Sequence, residues 1–317
     1  MIQSAKAKKT GEISMSFLYA LESIRHPVLD GFFSVITYFG SEWLFIAAAV
    51  AVFWCHNKRD GYYLLAAGLL GTVLNQVLKI ACQVPRPWVR DPQLTIVESA
   101  RAGATGYSFP SGHSQNVTVV MGCLARTVKR TWVRAVSIIF VVLVCFSRMY
   151  LGVHTPADVA VGFGCALVLV LVLYPIFQKS EEKPWIVTAV FAFAAVVSLG
   201  AVLYVELYPW AADVDAENLA SAVKNSYTML GCALGVLVGQ PIERRYVKFD
   251  TKAPRWAQIV KCVVGVGLVL GLKAALKAPL LALLGGHAAA TAVRYFLVVL
   301  TAIAVWPMTF SWFAKKS

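Results

Sequence analysis

Charge is what this chain has least of. Asp, Glu, Lys and Arg make up 14% of its 317 residues while apolar side chains reach 59%, against about 25% and about 45–50% in ordinary soluble domains. A soluble fold could not hide that much apolar surface, so an all-α polytopic membrane helical bundle is expected. Acidic residues are scarcer still: 16, against 29 basic ones, leave a formal net charge of +13. Such a surplus could suggest nucleic acid. Here, however, the basic residues gather in short loops between apolar runs, as in the cytoplasmic loops of a membrane protein. No nucleic-acid partner is implied.

Closely spaced cysteines are also missing. Of seven, Cys55, Cys123, Cys145, Cys165, Cys232 and Cys262 lie within or beside apolar runs and Cys82 alone sits near a polar loop. An odd count without short spacings argues against a disulfide framework or a zinc site, and leaves the cysteines as small packing residues. The first fifteen residues carry a basic patch but no apolar core before a small-residue site, so no cleavable signal peptide is expected. Neither an internal repeat nor a low-complexity linker marks a second domain.

What is present is a succession of long apolar segments. Residues 1–30 read as an N-terminal interfacial segment: Ile13, Phe17, Leu21 and Ile24 recur at helical spacing among Glu12, Glu22 and Arg25, and Pro27 ends the run. About nine spans follow, near Phe32–Trp54, Gly61–Ile80, His113–Val128, Val133–Phe146, Pro156–Phe177, Trp185–Tyr204, Ser226–Gly239, Trp256–Leu276 and Ala292–Phe313. Residues 31–178 would form a core bundle, and 179–317 additional transmembrane helices of the same domain. Most tryptophans fall at span ends, as an aromatic belt would place them. Lys58 and Arg59, Lys129, Arg130 and Arg134, Lys179 and Lys183, the basic run from Arg244 to Arg255, and Lys315 with Lys316 all fall on one side of nine spans. That side is read as cytoplasmic, together with the C-terminus. Lys6, Lys8 and Lys9 are exceptions, since they would lie outside.

Three polar signatures collect on the opposite side: Lys79 with Arg86-Pro87; Pro110-Ser111-Gly112-His113; and Ser147-Arg148 followed by His154 and Asp158. Ionisable residues at membrane depth are costly unless they line a wet or protein-walled cavity, so they mark function. Ser111 suits the N-cap of a helix beginning at Gly112, and free N–H groups at a helix start attract anions. Taken alone, that turn is an ordinary helix opening. Thr155 reads as the next N-cap, Pro156 as the first helical residue, and Asp158 as the third, in a capping box with Asp in place of Glu. Helical side chains lean toward the N-terminus, so Asp158 would reach back to the Nδ1–H of His154 and leave Nε2 as a nucleophile. Lys79, Arg86 and Arg148 add cations suited to phosphoryl oxygens, with snorkelling to headgroups the alternative for any one of them.

These residues, in this order and spacing, resemble the type-2 phosphatidic acid phosphatase superfamily, over about Phe32 to Phe177. The group includes lipid phosphate phosphatases, undecaprenyl pyrophosphate phosphatases, glucose-6-phosphatases, sphingosine-1-phosphate phosphatases and vanadium haloperoxidases. The resemblance implies that His154 forms a phosphohistidine, Asp158 orients it, and His113 protonates the leaving oxygen. It implies further that Lys79, Arg86, Ser111, Gly112 and Arg148 hold the phosphoryl group, without a metal or cofactor. Nine spans look most like glucose-6-phosphatase and the sphingosine-1-phosphate phosphatases.

The expected activity is therefore hydrolysis of a lipid phosphate monoester or pyrophosphate (phosphatidate, polyprenyl pyrophosphate or sphingoid-base phosphate) at the extracytoplasmic leaflet, with a bacterial plasma membrane the expected location. A soluble sugar phosphate such as glucose 6-phosphate, lipid-to-lipid phosphotransfer, and transport without hydrolysis are the competing readings. Tyr107, Phe109, Gln115 and Asn116 are candidates for lining the site. His287 reads as a solvated loop histidine, and Lys273, Lys277 and Arg294 as snorkelling cations or collectors of anionic headgroups. A homodimer through the later helices is left open.

Overall fold

The computed structural model describes residues 14–313, in which every regular element is helical. Ile13, the N-terminal lysines, and Lys315 with Lys316 lie outside the described residues. The first helix, α1, covers residues 14–23 and buries Leu18 and Leu21, while Phe17 and Ile24 are exposed. Its polar residues tie it down: Glu22 accepts from the Thr95 backbone N–H at 3.0 Å, and Arg25 donates to the carbonyls of Thr95 and Tyr150 at 2.8 and 3.0 Å.

Thereafter come α2 (Pro27–Thr37), α3 (Glu42–Cys55), α4 (Lys58–Cys82), the short α5 (Pro87–Arg90), α6 (Gly112–Thr127), α7 (Thr131–Tyr150), α8 (Pro156–Gln178), α9 (Trp185–Leu207), α10 (Ala216–Ile242), α11 (Arg255–Ala275), α12 (Lys277–Leu283) and α13 (Ala289–Leu300). All nine expected spans fall on helices. By length and hydropathy six helices among the described residues qualify as membrane spans, or seven if α2 and α3 count as one broken span. The count of nine is not reproduced, for two physical reasons. With 16 residues, opening on a polar motif, α6 is too short; α10 has 27 residues, but its first half carries Glu217, Asn218, Lys224 and Asn225. The spans that qualify keep an apolar exterior, as Ile138, Ile139 and Val142 of α7 and Val196 and Leu203 of α9 illustrate. This chain is an integral membrane protein.

Two compact units make up the chain. Among the described residues, one consists of 14–45 and Val77–Val170; the other comprises Ile46–Gln76 and 171–313. In the first, Phe33 of α2 packs on Tyr150 of α7 with ring centres 4.5 Å apart, and Tyr150 donates to Asp30 at 2.7 Å. In the second, α10 and α13 approach at a stripe of small residues. Gly231, Gly235 and Gly239 recur every fourth residue, and a Cβ at Gly231 would stand 2.2 Å from the carbonyl oxygen of Ala292. In lipid no hydrophobic drive brings helices together, so close backbone approach of this kind supplies the van der Waals contact. Lys58 pairs with the buried Glu243 at 2.6 Å in the same unit.

Replacing Gly231 by valine forces α10 and α13 apart. Overpacking of this kind costs about 1–3 kcal/mol, so Gly231→Val is expected to lower the melting temperature in detergent by several degrees, as read by intrinsic fluorescence. An unchanged melting temperature would contradict the contact.

Candidate active site

All eight sequence-predicted site residues belong to the first unit. Lys79 sits in the last turn of α4, His113 in the first turn of α6, Arg148 in the last turn of α7, and Asp158 in the first turn of α8. Helix ends and helix starts alternate along the chain, which brings these termini to one end of the unit.

The third signature folds as its local chemistry dictates. The backbone N–H of Thr155 donates to Asp158 Oδ2 at 2.7 Å, and the N–H of Asp158 donates to Thr155 Oγ1 at 3.3 Å. This is a reciprocal capping box with Asp158 at the third helical position. The same Oδ2 stands 3.4 Å from His154 Nδ1 and accepts from Ser108 Oγ at 2.6 Å. With its proton on Nδ1, facing Asp158, the imidazole presents Nε2 unprotonated. Arg86 Nη1 lies 3.0 Å from Nε2, a contact that requires a lone pair there. Burial holds the His154 pKa well below the ordinary histidine value, helped by the charges of Arg86, Arg148, Lys79 and His113. The ring is therefore neutral, and its contact with Asp158 is a hydrogen bond to a carboxylate rather than an ion pair.

Ser111 caps α6, accepting from the N–H of Ser114 at 3.4 Å, and its own N–H donates to the carbonyl of Asp158 at 2.9 Å. The second and third signatures are thereby joined through backbone. Glycine is needed at residue 162 for this, because a Cβ there would lie 2.4 Å from the Ser111 carbonyl oxygen. His113, half-buried beside the cap, is near enough to feel the charges of Arg148, Arg86 and Lys79. Gly112 opens the helix, where unpaired N–H groups and the helix dipole favour an anion.

The three cations are held very differently. Lys79 donates to the carbonyls of Tyr107 and Ser108. Arg86 is saturated by the carbonyls of Gly106, Thr105 and Val153 at 3.0, 2.7 and 3.0 Å, besides His154. Arg148 is 1% exposed and donates from Nη1 to Thr37 Oγ1 at 2.6 Å, but its Nε and Nη2 are buried without a partner. Three buried cations thus face one buried carboxylate, Asp158. Burying charge without a counter-charge is costly, and a dianionic ligand taking up the free Arg148 donors would relieve it.

Sequence reasoning missed Ser108, Thr37 and Gly162. Ser108 lies two residues before Pro110 and carried a local signal; Thr37 is 111 residues from Arg148 and carried none. Of the expected lining residues, Tyr107 contributes its carbonyl, Gln115 is buried with an unpartnered Oε1, and Asn116 bonds the Gly40 carbonyl at 3.2 Å. Ser147 returns its hydroxyl to the Val144 carbonyl at 2.7 Å and serves the helix.

Comparison with known proteins gives consistent matches. A family described as the PAP2 superfamily matches residues 60–182, and one described as PAP2 superfamily phosphatase, transmembrane extension, matches residues 227–317. The chain is 30% identical over 172 residues to phosphatidylglycerophosphatase B of Bacillus subtilis, covering 50% of this chain and 80% of that one. It is 23% identical over 182 residues to lipid A 4'-phosphatase of Porphyromonas gingivalis, covering 54% and 76%. With undecaprenyl-diphosphatase of Sulfolobus acidocaldarius it shares 30% over 136 residues, covering 43% and 64%.

Hydrogen bonds to charged groups contribute about 1.5–3 kcal/mol. Thr37→Val, which frees Arg148 from its anchor, is expected to weaken vanadate or orthophosphate binding by roughly tenfold or more. Isothermal titration of the folded variant checks this; affinity equal to wild type would remove Thr37 from the site.

Proposed function

The chain belongs to the PAP2 superfamily and is an integral membrane phosphatase, and from that premise we propose that it hydrolyses a lipid phosphate monoester or pyrophosphate through a phosphohistidine on His154, without a metal. The observation that carries this reading is the placement of the His154 ring: Nδ1 stands 3.4 Å from Asp158 and Nε2 3.0 Å from Arg86, which assigns the proton to Nδ1 and the lone pair to the nitrogen that faces a cation.

In the proposed reaction the substrate phosphoryl group displaces Arg86 from Nε2 and takes its guanidinium, together with Arg148, Lys79 and the N–H groups of α6, onto its oxygens. Ser111 holds the start of that helix and Gly112 lets an oxygen approach the backbone. Nε2 attacks phosphorus as the bond to the leaving oxygen breaks, and His113, whose protonated form the negative charge of the bound phosphoryl group favours against the neighbouring cations, gives its proton to that oxygen. Neutral His113 then takes a proton from water, whose oxygen attacks the phosphohistidine, releasing orthophosphate and restoring His154. Phosphoryl transfer asks chiefly for position and charge stabilisation, which fixed cations and helix N–H groups provide.

A lipid substrate is favoured over a soluble sugar phosphate by the substrates that the relatives' names record. With α6 and α10 crossing as well as the qualifying helices, the basic loops after α3, α6, α8 and α10 share one side, and on that nine-crossing reading the site faces away from the cytoplasm of a bacterial plasma membrane.

His154→Ala is expected to abolish phosphate release from detergent-solubilised lipid phosphate while leaving the melting temperature near wild type, and turnover in wild type is expected to survive EDTA. Substantial turnover in His154→Ala would end this reading. The pH dependence has a definite sign. Since the folded-state pKa of His154 is depressed, the neutral nucleophile persists as pH falls through 6.5. After allowance for the substrate's own ionisation near about 6, the acid limb of kcat/KM should lie below 6.5. An acid limb above that value would contradict a neutral buried nucleophile.

A further inference from the structure

The transmembrane extension carries a second unbalanced charge. From Arg255 to the end of the chain there is no Asp or Glu, although Lys261, Lys273, Lys277 and Arg294 lie within the stretch. Arg294, in the second turn of α13, could have reached out to the headgroups, yet it is only 7% exposed. Its Nε is buried without a hydrogen-bond partner, and no ion pair among the described residues includes it. A buried guanidinium with an unmet donor and no carboxylate is costly unless something supplies the missing acceptor.

The neighbouring groups indicate what that acceptor is. The Arg294 guanidinium carbon stands 5.1 Å from the ring centre of Tyr295, and Lys273 Nζ, from the last turn of α11, stands 5.5 Å from the same ring. Each cation is attracted to the ring face, and an anion within reach of both would gain opposite charge from each. Arginine meets a phosphate with a fork and lysine meets it with a point charge. Leu283 of α12 and Val293 of α13 present exposed apolar surface nearby in the chain, suited to acyl chains rather than to water.

We propose that Arg294, Lys273 and Tyr295 form a binding site for the phosphate of an anionic phospholipid headgroup, where α11 ends and α13 begins. The occupant is a phosphodiester lipid of the surrounding bilayer. Its recognition needs no hydrolysis and stands whether or not His154 is the nucleophile.

The full-length protein in nanodiscs of equal phosphatidylcholine and phosphatidylglycerol, released into native mass spectrometry, tests this directly. Wild type is expected to retain phosphatidylglycerol in preference to phosphatidylcholine. Arg294→Gln should lower that preference severalfold, Arg294→Lys should recover part of it, and excess inorganic phosphate should leave the lipid bound. Equal retention of the two lipids by wild type, or an unchanged preference in Arg294→Gln, overturns the proposal. Displacement by inorganic phosphate assigns a free-anion site instead and overturns the lipid. Should Arg294→Gln not fold, Lys273→Gln decides, because its side chain is only half-buried: a severalfold loss upholds the site and an unchanged preference overturns it.

Discussion

Three cations buried around a single carboxylate constrain the first unit more than any other interaction. Lys79, Arg86 and Arg148 are each less than one-tenth exposed, and Asp158 is the acidic group set among them. Such an excess of positive charge in a low-dielectric setting is tolerable only while every donor has an acceptor or awaits one. Loop carbonyls satisfy Lys79 and Arg86. Arg148 keeps two nitrogens unpaired, and the folding energy of the surrounding helices holds it there. The strain of that arrangement is what a phosphoryl group would relieve, so the architecture that is expensive without ligand is the one suited to binding it.

Much of this was legible because the relevant contacts are short in sequence. The capping box from Thr155 to Asp158, the N-cap at Ser111 and the reach of Asp158 to His154 span at most four residues, and helix geometry alone predicts them. Contacts across the unit were not legible in the same way. Thr37 meets Arg148 only because α2 packs along α7, and Gly162 meets Ser111 only because α8 crosses the start of α6. Nothing in the residues beside Thr37 announces a partner more than one hundred positions away.

The number of spans shows a different limit. Hydropathy found every long helix, yet hydropathy alone does not say which helices cross the bilayer once polar work is assigned to them. A helix such as α6 trades apolar length for Ser114, Gln115 and Asn116 near its start. The glycine stripe of α10 was written in the chain at a regular spacing, but its meaning depended on Ala292 and Val299 standing opposite. Arg294 reversed its expected environment: a residue that reads as a snorkelling cation in one dimension is only 7% exposed in the folded chain.

The central claim is that the unprotonated Nε2 of His154, held between Asp158 and Arg86, attacks phosphorus. Rapid alkaline quenching of the enzyme during turnover of a lipid carrying a radiolabelled phosphoryl group, followed by peptide mapping, measures this most directly. The account predicts an acid-labile label on His154 that forms and decays at rates compatible with turnover. Turnover at the normal rate with no label on any histidine would contradict it.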